Sequence, residues 1–302
     1  MAYQSNQPSA EIQAWRDRGE YRQLCDYNIF VIDEGSEQLP VILLLHGFPT
    51  SSWDWQPVWA ELKKNYRLVA LDMLGFGFSD KPNQRNYTIH GQADIVEALV
   101  ASKQLSCFHV LAHDYGDTVA QELLARQLEG HGVGTWLSCC FLNGGLFPET
   151  HRALLTQKLL LSPLGKFINR FSGFTSFRRN FSSVFGPHSK PCEQTLLNFW
   201  WLINYNDGKH LFHNLITYIR DRLEHRKRWV TALQQSNIPL ALINGSVDPV
   251  SGRHMVERYK SLQCRLDFLT ELPLIGHYPQ VEDPNAVYQA YQQFLNKITT
   301  SD

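Results

Sequence analysis

The chain has no long apolar run, no C-x-x-C pair and no block of basic residues, and each absence excludes a class of protein. Apolar stretches such as Val41–Leu45 are far shorter than the roughly 20 residues that cross a bilayer, and the opening MAYQSNQPSAEIQAW is polar, so we predict neither a transmembrane helix nor a signal peptide. The 28 basic and 29 acidic residues leave a formal net charge of -1, so neither nucleic acid nor an anionic membrane is an expected partner. Six scattered cysteines favour a reducing, cytoplasmic location.

What is present is an alternation of strand-like and helix-like segments. Short apolar runs alternate with stretches whose apolar residues recur every three or four positions, a pattern typical of an α/β fold with a mostly parallel sheet flanked by helices. The near-continuous apolar runs predict burial on both faces of the sheet. The predicted strands are 27–33, 41–46, 67–72, 107–113, 136–143, 239–245 and 265–270, and two predicted helices cover 88–105 and 117–130.

A helix-like insertion interrupts this alternation. From 146 to 232 the strand pattern disappears, and a stretch rich in Phe, Leu, Trp and Arg takes its place. Strands and helices alternate again from Ile238, so the stretch interrupts one sheet. We therefore predict a core formed by residues 1–145 and 233–302, with residues 146–232 as a helical cap on top of it.

The segment AHDYG (112–116) lies between a predicted buried strand and a predicted helix. It has the form small-x-nucleophile-x-small, the pattern of a tight strand-to-helix turn whose small neighbours let the central side chain project above the sheet. The central residue is Asp114, where the related G-x-S-x-G turn has serine, so a serine esterase is not expected. The alternative interpretation is that Asp114 only caps the following helix.

The loop HGFP (46–49) follows a buried strand and is expected to complete an oxyanion hole. Such a hole uses two backbone amides, one from the residue after the nucleophile and one from the loop after an earlier strand. We therefore predict the amides of Phe48 and Tyr115 as the pair. His46 is expected to fix the loop by hydrogen bonding, without a catalytic role.

An acid and a base are expected after Asp114 in the chain, at the ends of late strands. Asp248 follows the strand LALING, and His277 lies in LIGHYPQ after the strand RLDFLT. We therefore predict a triad of Asp114, Asp248 and His277. Other histidines, such as His210 and His254, fall in the inserted region or in a predicted helix, where solvation or packing is the expected role.

An aspartate nucleophile restricts the reaction. Its attack on an sp3 carbon gives an alkyl ester of the enzyme, which water activated by His277 then hydrolyses while the hole stabilises the oxyanion. Epoxides and haloalkanes are the natural electrophiles. An epoxide needs a proton donor such as tyrosine, and a halide needs N–H donors such as indoles, which Tyr115 does not offer. No cofactor and no metal is predicted.

Several segments together resemble a known family. They are HGFPTSSWDW (46–55), DMLGFGFSDKP (72–82), HDYGDTVAQELLAR (113–126), NGGLFPETHR (143–152), VFGP (184–187), DP (248–249) and HYPQVEDP (277–284). These are similar to the mesoderm-specific transcript family of α/β-hydrolases, which lies close to epoxide hydrolases and haloalkane dehalogenases. The resemblance covers most of the chain from about Leu24 onward. It implies an α/β-hydrolase fold with a helical cap and a triad on Asp114, Asp248 and His277.

The resemblance to epoxide hydrolases also suggests a proton donor. Those enzymes typically place two cap tyrosines over the nucleophile, the later one upstream of the triad acid. Tyr218 lies 30 residues before Asp248 and is the predicted donor, with core packing as the alternative. Residues 160–190 contain no tyrosine for the first position, which Tyr205 could take only if the cap bends differently.

Three aromatic residues of the insertion are predicted to bind substrate. Trp200 and Trp201 could offer indole donors to a halide, with core packing as the alternative for at least one, and Tyr205 could face the same pocket. The arginine that a fluoroacetate dehalogenase carries directly after its nucleophile is absent. We predict an epoxide hydrolase-like enzyme acting on a small apolar organic molecule. A haloalkane dehalogenase-like enzyme is the alternative reaction, and a non-catalytic binding protein is the alternative class.

Overall fold

The structure is a computed structural model that describes residues 7–83, 86–152, 155–162, 165 and 173–300. Within these residues eight strands form one sheet. They are β1 (Glu20–Leu24), β2 (Tyr27–Glu34), β3 (Val41–Leu45), β4 (Arg67–Leu71), β5 (Cys107–His113), β6 (Thr135–Leu142), β7 (Leu240–Gly245) and β8 (Phe268–Leu272).

The strand order is β1-β2-β4-β3-β5-β6-β7-β8. Strand β2 pairs antiparallel with both β1 and β4, and all other neighbours pair parallel. The predicted α/β class with a mostly parallel sheet is therefore confirmed. Because parallel strands end at the same edge, the residues that follow β3, β5, β6 and β7 come close together in space.

Helices flank the sheet. Their bounds are α1 (Ala10–Arg16), α2 (Gln56–Leu62), α3 (Ile89–Ser102), α4 (Tyr115–Leu128), α5 (Leu155–Leu160), α6 (Phe174–Ser183), α7 (Glu193–Asn204), α8 (Phe212–Leu215), α9 (Tyr218–Glu224), α10 (Arg226–Gln235), α11 (Arg253–Ser261), α12 (Pro279–Glu282) and α13 (Pro284–Thr299). Two 3-10 helices cover Ser52–Trp55 and Tyr205–Leu211. Among the described residues, no helix is both long and apolar enough to cross a membrane.

The core lies on both faces of the sheet, as the apolar runs predict. In β3 every residue is buried, with Leu43 and Leu45 packing into one hydrophobic cluster and Ile42 and Leu44 into the other. Burial on both faces removes most of the apolar surface of this strand from water, which makes it a rigid support for the loop that follows.

The sequence prediction differs from the structure at both ends of the sheet. The sequence pattern does not predict strand β1 (EYRQL), because this segment is mostly polar and exposed and its apolar residues do not alternate with polar ones. Strand β8 is predicted at 265–270 but occupies Phe268–Leu272, where its residues are only partly buried or exposed. Both are edge strands, where the burial pattern that reveals a strand is weakest.

Between β6 and β7 the described residues form helices and connecting turns. The last of them, α10, packs against α4, where the Trp229 indole donates a hydrogen bond to Glu122 at 2.8 Å. The boundary predicted at residue 232 therefore falls inside a helix that packs on the sheet-flanking layer.

Candidate active site

Asp114 occupies the turn between β5 and α4. Its backbone is held at φ 47° and ψ -101°, a region that residues other than glycine rarely adopt. The turn requires a close approach of backbones, because a Cβ on Gly116 would lie 2.4 Å from the carbonyl oxygen of Leu45. Within the described residues, the Asp114 side chain makes no capping hydrogen bond to α4. The geometry is that of a strained elbow and not of an ordinary helix cap.

The loop after β3 contacts the Asp114 carboxylate. The backbone amide of Phe48 donates a hydrogen bond to Oδ2 of Asp114 at 3.1 Å. Tyr115 directly follows Asp114 as the first residue of α4, and its side chain is buried. One predicted member of the oxyanion hole thus already contacts one oxygen of Asp114, and the other belongs to the same turn.

His46 holds this loop in place. The amide of Met73 donates to Nε2 of His46 at 2.9 Å, so Nδ1 carries the ring proton and donates to the carbonyl of Gly47 at 2.8 Å. Burial lowers the pKa of His46, which keeps the ring neutral as both hydrogen bonds require. These contacts agree with the structural role predicted for this residue.

His277 and Asp248 meet beside the elbow. Nδ1 of His277 lies 2.7 Å from Oδ2 of Asp248, and Nε2 of His277 lies 3.8 Å from Oδ2 of Asp114. All three side chains are almost completely buried. The structure therefore brings together the three residues predicted as a triad.

The loop after β7 orients the Asp248 carboxylate. The amide of Val250 donates to Oδ1 at 2.7 Å, and both the amide and the hydroxyl of Ser251 donate to Oδ2, at 3.1 and 2.9 Å. The side-chain amide of Asn143, the residue after β6, donates to the same Oδ2 at 2.9 Å. These donors keep Asp248 ionised opposite the imidazole.

The charges around His277 shift the pKa values of all three groups. Burial alone disfavours the charged form of each one. Opposing it, the two carboxylates raise the pKa of His277 well above its usual value, and the imidazole lowers the pKa of both Asp114 and Asp248. The free protein therefore holds a proton on His277 between two ionised carboxylates.

Arg222, which the sequence analysis did not single out, also lies beside Asp114. Its side chain is 1% exposed. Nη2 lies 3.9 Å from Oδ1 of Asp114, and Nε donates to the hydroxyl of Thr118 at 2.8 Å. The cation helps to lower the pKa of Asp114 against the effect of burial. A usable signal was its place on α9, four residues after Tyr218 and hence on the same helix face.

Tyr218 packs directly over the elbow. Its ring lies 5.0 Å from that of Tyr115 and 5.9 Å from that of Phe48, centroid to centroid. Burial, followed by the negative charge of Asp114, raises the pKa of the Tyr218 phenol. The phenol is therefore protonated in the free protein, and the structure places it beside both residues predicted to form the oxyanion hole.

The three other predicted aromatic residues have their contacts elsewhere. The Trp200 ring packs against Phe174 and Phe177, and the Trp201 and Tyr205 rings pack against each other and against Phe78. Within the described residues, none of their ring or hydrogen-bond contacts is with Asp114, Tyr218 or His277. Their packing matches the core role given as the alternative for the tryptophans. The first cap tyrosine of epoxide hydrolases is expected within residues 160–190, where this sequence has none. Of that range, residues 163–164 and 166–172 lie outside the described residues.

The sheet order and the elbow after β5 are those of an α/β-hydrolase, and a family model described as the alpha/beta hydrolase fold matches residues 40–284. The chain is 42% identical to the mesoderm-specific transcript homolog protein of Bos taurus over 97% of its own length and 90% of the relative's. It belongs to the mesoderm-specific transcript family of α/β-hydrolases.

Two further proteins are similar to parts of this chain or to its fold. Epoxide hydrolase 1 of Caenorhabditis elegans is 32% identical over 134 residues, which are 43% of this chain and 31% of that protein. The crystal structure of the haloalkane dehalogenase DbeA-M1 loop variant from Bradyrhizobium elkanii matches with a TM-score of 0.78 at 19% identity, covering 94% of this chain and 97% of the other. At that identity the structural likeness concerns the fold.

Proposed function

We propose that this protein is a hydrolase that opens epoxides by means of a covalent alkyl ester on Asp114. The observation that carries the proposal is the surroundings of one carboxylate: a strained elbow presents it, the Phe48 amide binds one of its oxygens, and the His277–Asp248 pair lies 3.8 Å away at its nearest. Asp114 is the proposed nucleophile because it is an ionised carboxylate at this position.

In the first step, Oδ1 of Asp114 attacks an epoxide carbon. Oδ2 is engaged by the Phe48 amide, which leaves Oδ1 as the attacking atom. The C–O bond of the epoxide breaks, its electron pair stays on the epoxide oxygen, and the Tyr218 phenol supplies the proton. A phenol is a stronger acid than an alcohol in water, which makes Tyr218 a suitable proton donor to the developing alkoxide.

In the second step, His277 first gives its proton to the Tyr218 phenolate that the first step leaves; the neutral ring then removes a proton from water, and the hydroxide attacks Cγ of Asp114. The amides of Phe48 and Tyr115 stabilise the oxyanion, as two donors of an oxyanion hole. The ester C–O bond then breaks, the departing alkoxide takes the proton of His277 to leave as a diol, and the new carboxyl group of Asp114 returns its proton to His277. Ester formation removes the charge of Asp114, one of the two anions that raise the pKa of His277. The base therefore becomes less basic and loses its proton more readily once the ester that it must hydrolyse has formed.

The described helices between residues 146 and 232 are proposed to form the cap over this site. Among them, helix α9 supplies Tyr218, whose ring contacts Phe48 and Tyr115 of the core. A cap of this kind excludes bulk water, which strengthens the electrostatic interactions around Asp114. Trp200 would then support the cap by packing against Phe174 and Phe177, and Trp201 and Tyr205 by packing against each other.

Dehalogenation is the second candidate reaction. Arg222 is a permanent cation 3.9 Å from the attacking oxygen, and a cation can stabilise a departing halide. A purely binding role is disfavoured, because a buried charged cluster costs several kcal/mol of desolvation that binding alone does not require.

The test is a panel of small epoxides and bromoalkanes, with diol and bromide measured separately, followed by a single turnover in H2(18)O. The covalent scheme predicts that the label enters the Asp114 carboxylate first, as peptide mass spectrometry can show, while the diol stays unlabelled. Label in the diol with unlabelled Asp114 would mean direct attack by water. Asp114→Ala should abolish turnover, and Asp267→Asn, which changes a partly exposed carboxylate near β8, should not.

A further inference from the structure

Arg222 is buried next to the nucleophile with one N–H edge unused. Nε donates to Thr118, and Nη2 makes a long contact of 3.4 Å with the backbone carbonyl of Asp114. Among the described residues, Nη1 has no hydrogen-bond partner. A guanidinium stays charged at any physiological pH, and a buried charge with unpaired donors is costly. The unused edge therefore indicates a binding partner that is not part of the protein.

His151 lies near the unused Nη1 of Arg222, beside Gly145. A Cβ on Gly145 would lie 2.4 Å from Nη1 of Arg222 and 3.2 Å from Nδ1 of His151. The two ring nitrogens of His151 are also buried and have no partner among the described residues. Burial, with the repulsion of Arg222, lowers the pKa of His151 to about 4, so the ring is neutral and has one N–H to donate. Two unused donor groups thus meet beside Gly145.

The carboxyl group of Asp117 does not neutralise Arg222. Asp117 lies on α4 one turn from the elbow, and its carboxyl oxygens have no hydrogen-bond partner among the described residues. Complete burial and the negative charge of Asp114 raise the pKa of Asp117 well above its usual value, so the group is protonated and neutral. Asp114 is then the nearby anion that balances Arg222.

The proposed reaction removes that anion. When Oδ1 of Asp114 forms the ester, the negative charge passes through the epoxide oxygen to Tyr218, which becomes a phenolate until His277 returns a proton to it. Once Tyr218 is protonated again, Arg222 is a buried cation that has lost its nearest counter-charge until the ester is hydrolysed. A substrate that brought its own negative charge would keep Arg222 paired throughout.

We propose that the substrate carries a carboxylate on the carbon next to the electrophilic one, bound by the Nη1 edge of Arg222 and by His151. The substrate class is therefore a small epoxy carboxylate, in which the carboxylate remains intact while Asp114 opens the ring. This inference rests on the proposed function of Asp114. The Tyr218 ring, 4.5 Å from the guanidinium carbon, stabilises the cation and fixes its plane.

Equilibrium binding tests the site without requiring turnover. The probes are 2-methylpropanoate and its uncharged isostere 2-methylpropanamide, titrated by calorimetry into wild type, Asp114→Asn and Asp114→Asn/Arg222→Met. Removing the Asp114 charge should tighten carboxylate binding at least about tenfold, and adding Arg222→Met should abolish the gain. The control Asp114→Asn/Arg220→Met changes an exposed arginine of the same helix and should bind like Asp114→Asn.

Equal binding of acid and amide to Asp114→Asn would overturn the proposal. That comparison uses one folded protein, so it decides the matter even if Arg222→Met fails to fold. Binding of the acid that persists in a folded Asp114→Asn/Arg222→Met would overturn it as well.

Kinetics separate this inference from the proposed reaction. Oxirane-2-carboxylate and oxirane-2-carboxamide are the matched substrates, and wild type should prefer the acid by at least about 100-fold in kcat/KM. Equal rates for both would overturn the carboxylate site and leave the epoxide reaction standing. Turnover of neither, with Arg222-dependent binding of 2-methylpropanoate, would support the anion site and overturn the epoxide reaction.

Discussion

Oδ2 of Asp248 lies 2.7 Å from Nδ1 of His277, whereas Nε2 of His277 lies 3.8 Å from Oδ2 of Asp114. His277 and Asp248 are therefore joined by a charge-assisted hydrogen bond, whereas the separation between His277 and Asp114 is too long for a hydrogen bond. Asp248 therefore fixes the orientation of the ring and leaves Nε2 facing Asp114. This arrangement assigns the proton to Nδ1 and the basic position to Nε2 once the ring is neutral.

His277→Gln should separate the two proposed steps. Alkylation requires the ionised Asp114 and, for an epoxide, the proton of Tyr218, whereas hydrolysis of the ester requires a base, so the variant should accumulate an alkyl-enzyme. Intact-protein mass spectrometry would show the added mass, and peptide mapping should place it on Asp114. The control His131→Gln changes an exposed histidine after α4 and should turn over without an adduct. An unmodified His277→Gln, under conditions where wild type is active, would contradict the two-step scheme.

Asp248→Asn should slow the second step selectively. The asparagine keeps the shape of the side chain but removes the charge that orients and stabilises the protonated ring of His277. We expect hydrolysis of the ester to fall by at least about 100-fold while alkylation changes little. Rapid quenching and mass spectrometry would show the alkyl-enzyme as the dominant steady-state form. Equal slowing of both steps would mean that Asp248 serves to hold the structure of the loop after β7 and does not act on His277 in hydrolysis.

The proton on His277 should depend on the charge of Asp114. Two carboxylates raise the pKa of His277 in the folded protein, so Asp114→Asn should lower its titration midpoint by at least about one pH unit. NMR of ring-labelled histidine measures this, with His277→Gln to assign the signal. An unchanged midpoint would mean that Asp114 does not interact with the ring.

The same coupling predicts a stability effect with a definite sign. Because the folded pKa of His277 is raised, its contribution is fully present below the unfolded pKa of about 6.5 and is lost as pH rises through the folded value. Asp114→Asn brings the two pKa values closer together. Denaturant unfolding from pH 6 upward should therefore show a smaller loss of stability with pH for the variant than for wild type.

The elbow at Asp114 and its closeness to Asp248 and His277 were predictable from the sequence. Continuous apolar runs indicate parallel strands that are buried on both faces, and Asp114 and Asp248 each follow such a run. His277 follows β8, an edge strand with a weaker apolar pattern. Because those runs end at one edge of the sheet, chemistry-bearing residues just beyond them converge. Once the strands are paired in parallel, the local sequence pattern therefore predicts that residues far apart in the chain lie close together.

The contribution of Arg222 was not predictable in the same way. The helix YIRDRLE reads as a polar surface helix, and only tertiary packing buries Arg222 to 1% exposure. Conversely, Trp200 and Trp201 resemble pocket residues in sequence, yet their rings pack on other aromatic residues of the chain. Side-chain type shows what a residue could bind, and packing decides what it faces.

Tyr218→Phe should distinguish an acid catalyst from a packing residue. Phenylalanine keeps the ring contacts with Tyr115 and Phe48 but lacks the phenol proton, so the fold should survive. Loss of one acid catalyst typically costs about 10²- to 10⁴-fold, so epoxide opening should fall at least about tenfold even if Arg222 partly compensates. Departure of bromide needs no proton and should change much less.

The measurement is single-turnover alkylation in the His277→Gln background, with Tyr288→Phe on α13 as the matched control. Equal losses for epoxide and bromoalkane would show that Tyr218 only shapes the site, and no loss for either would remove it from the reaction.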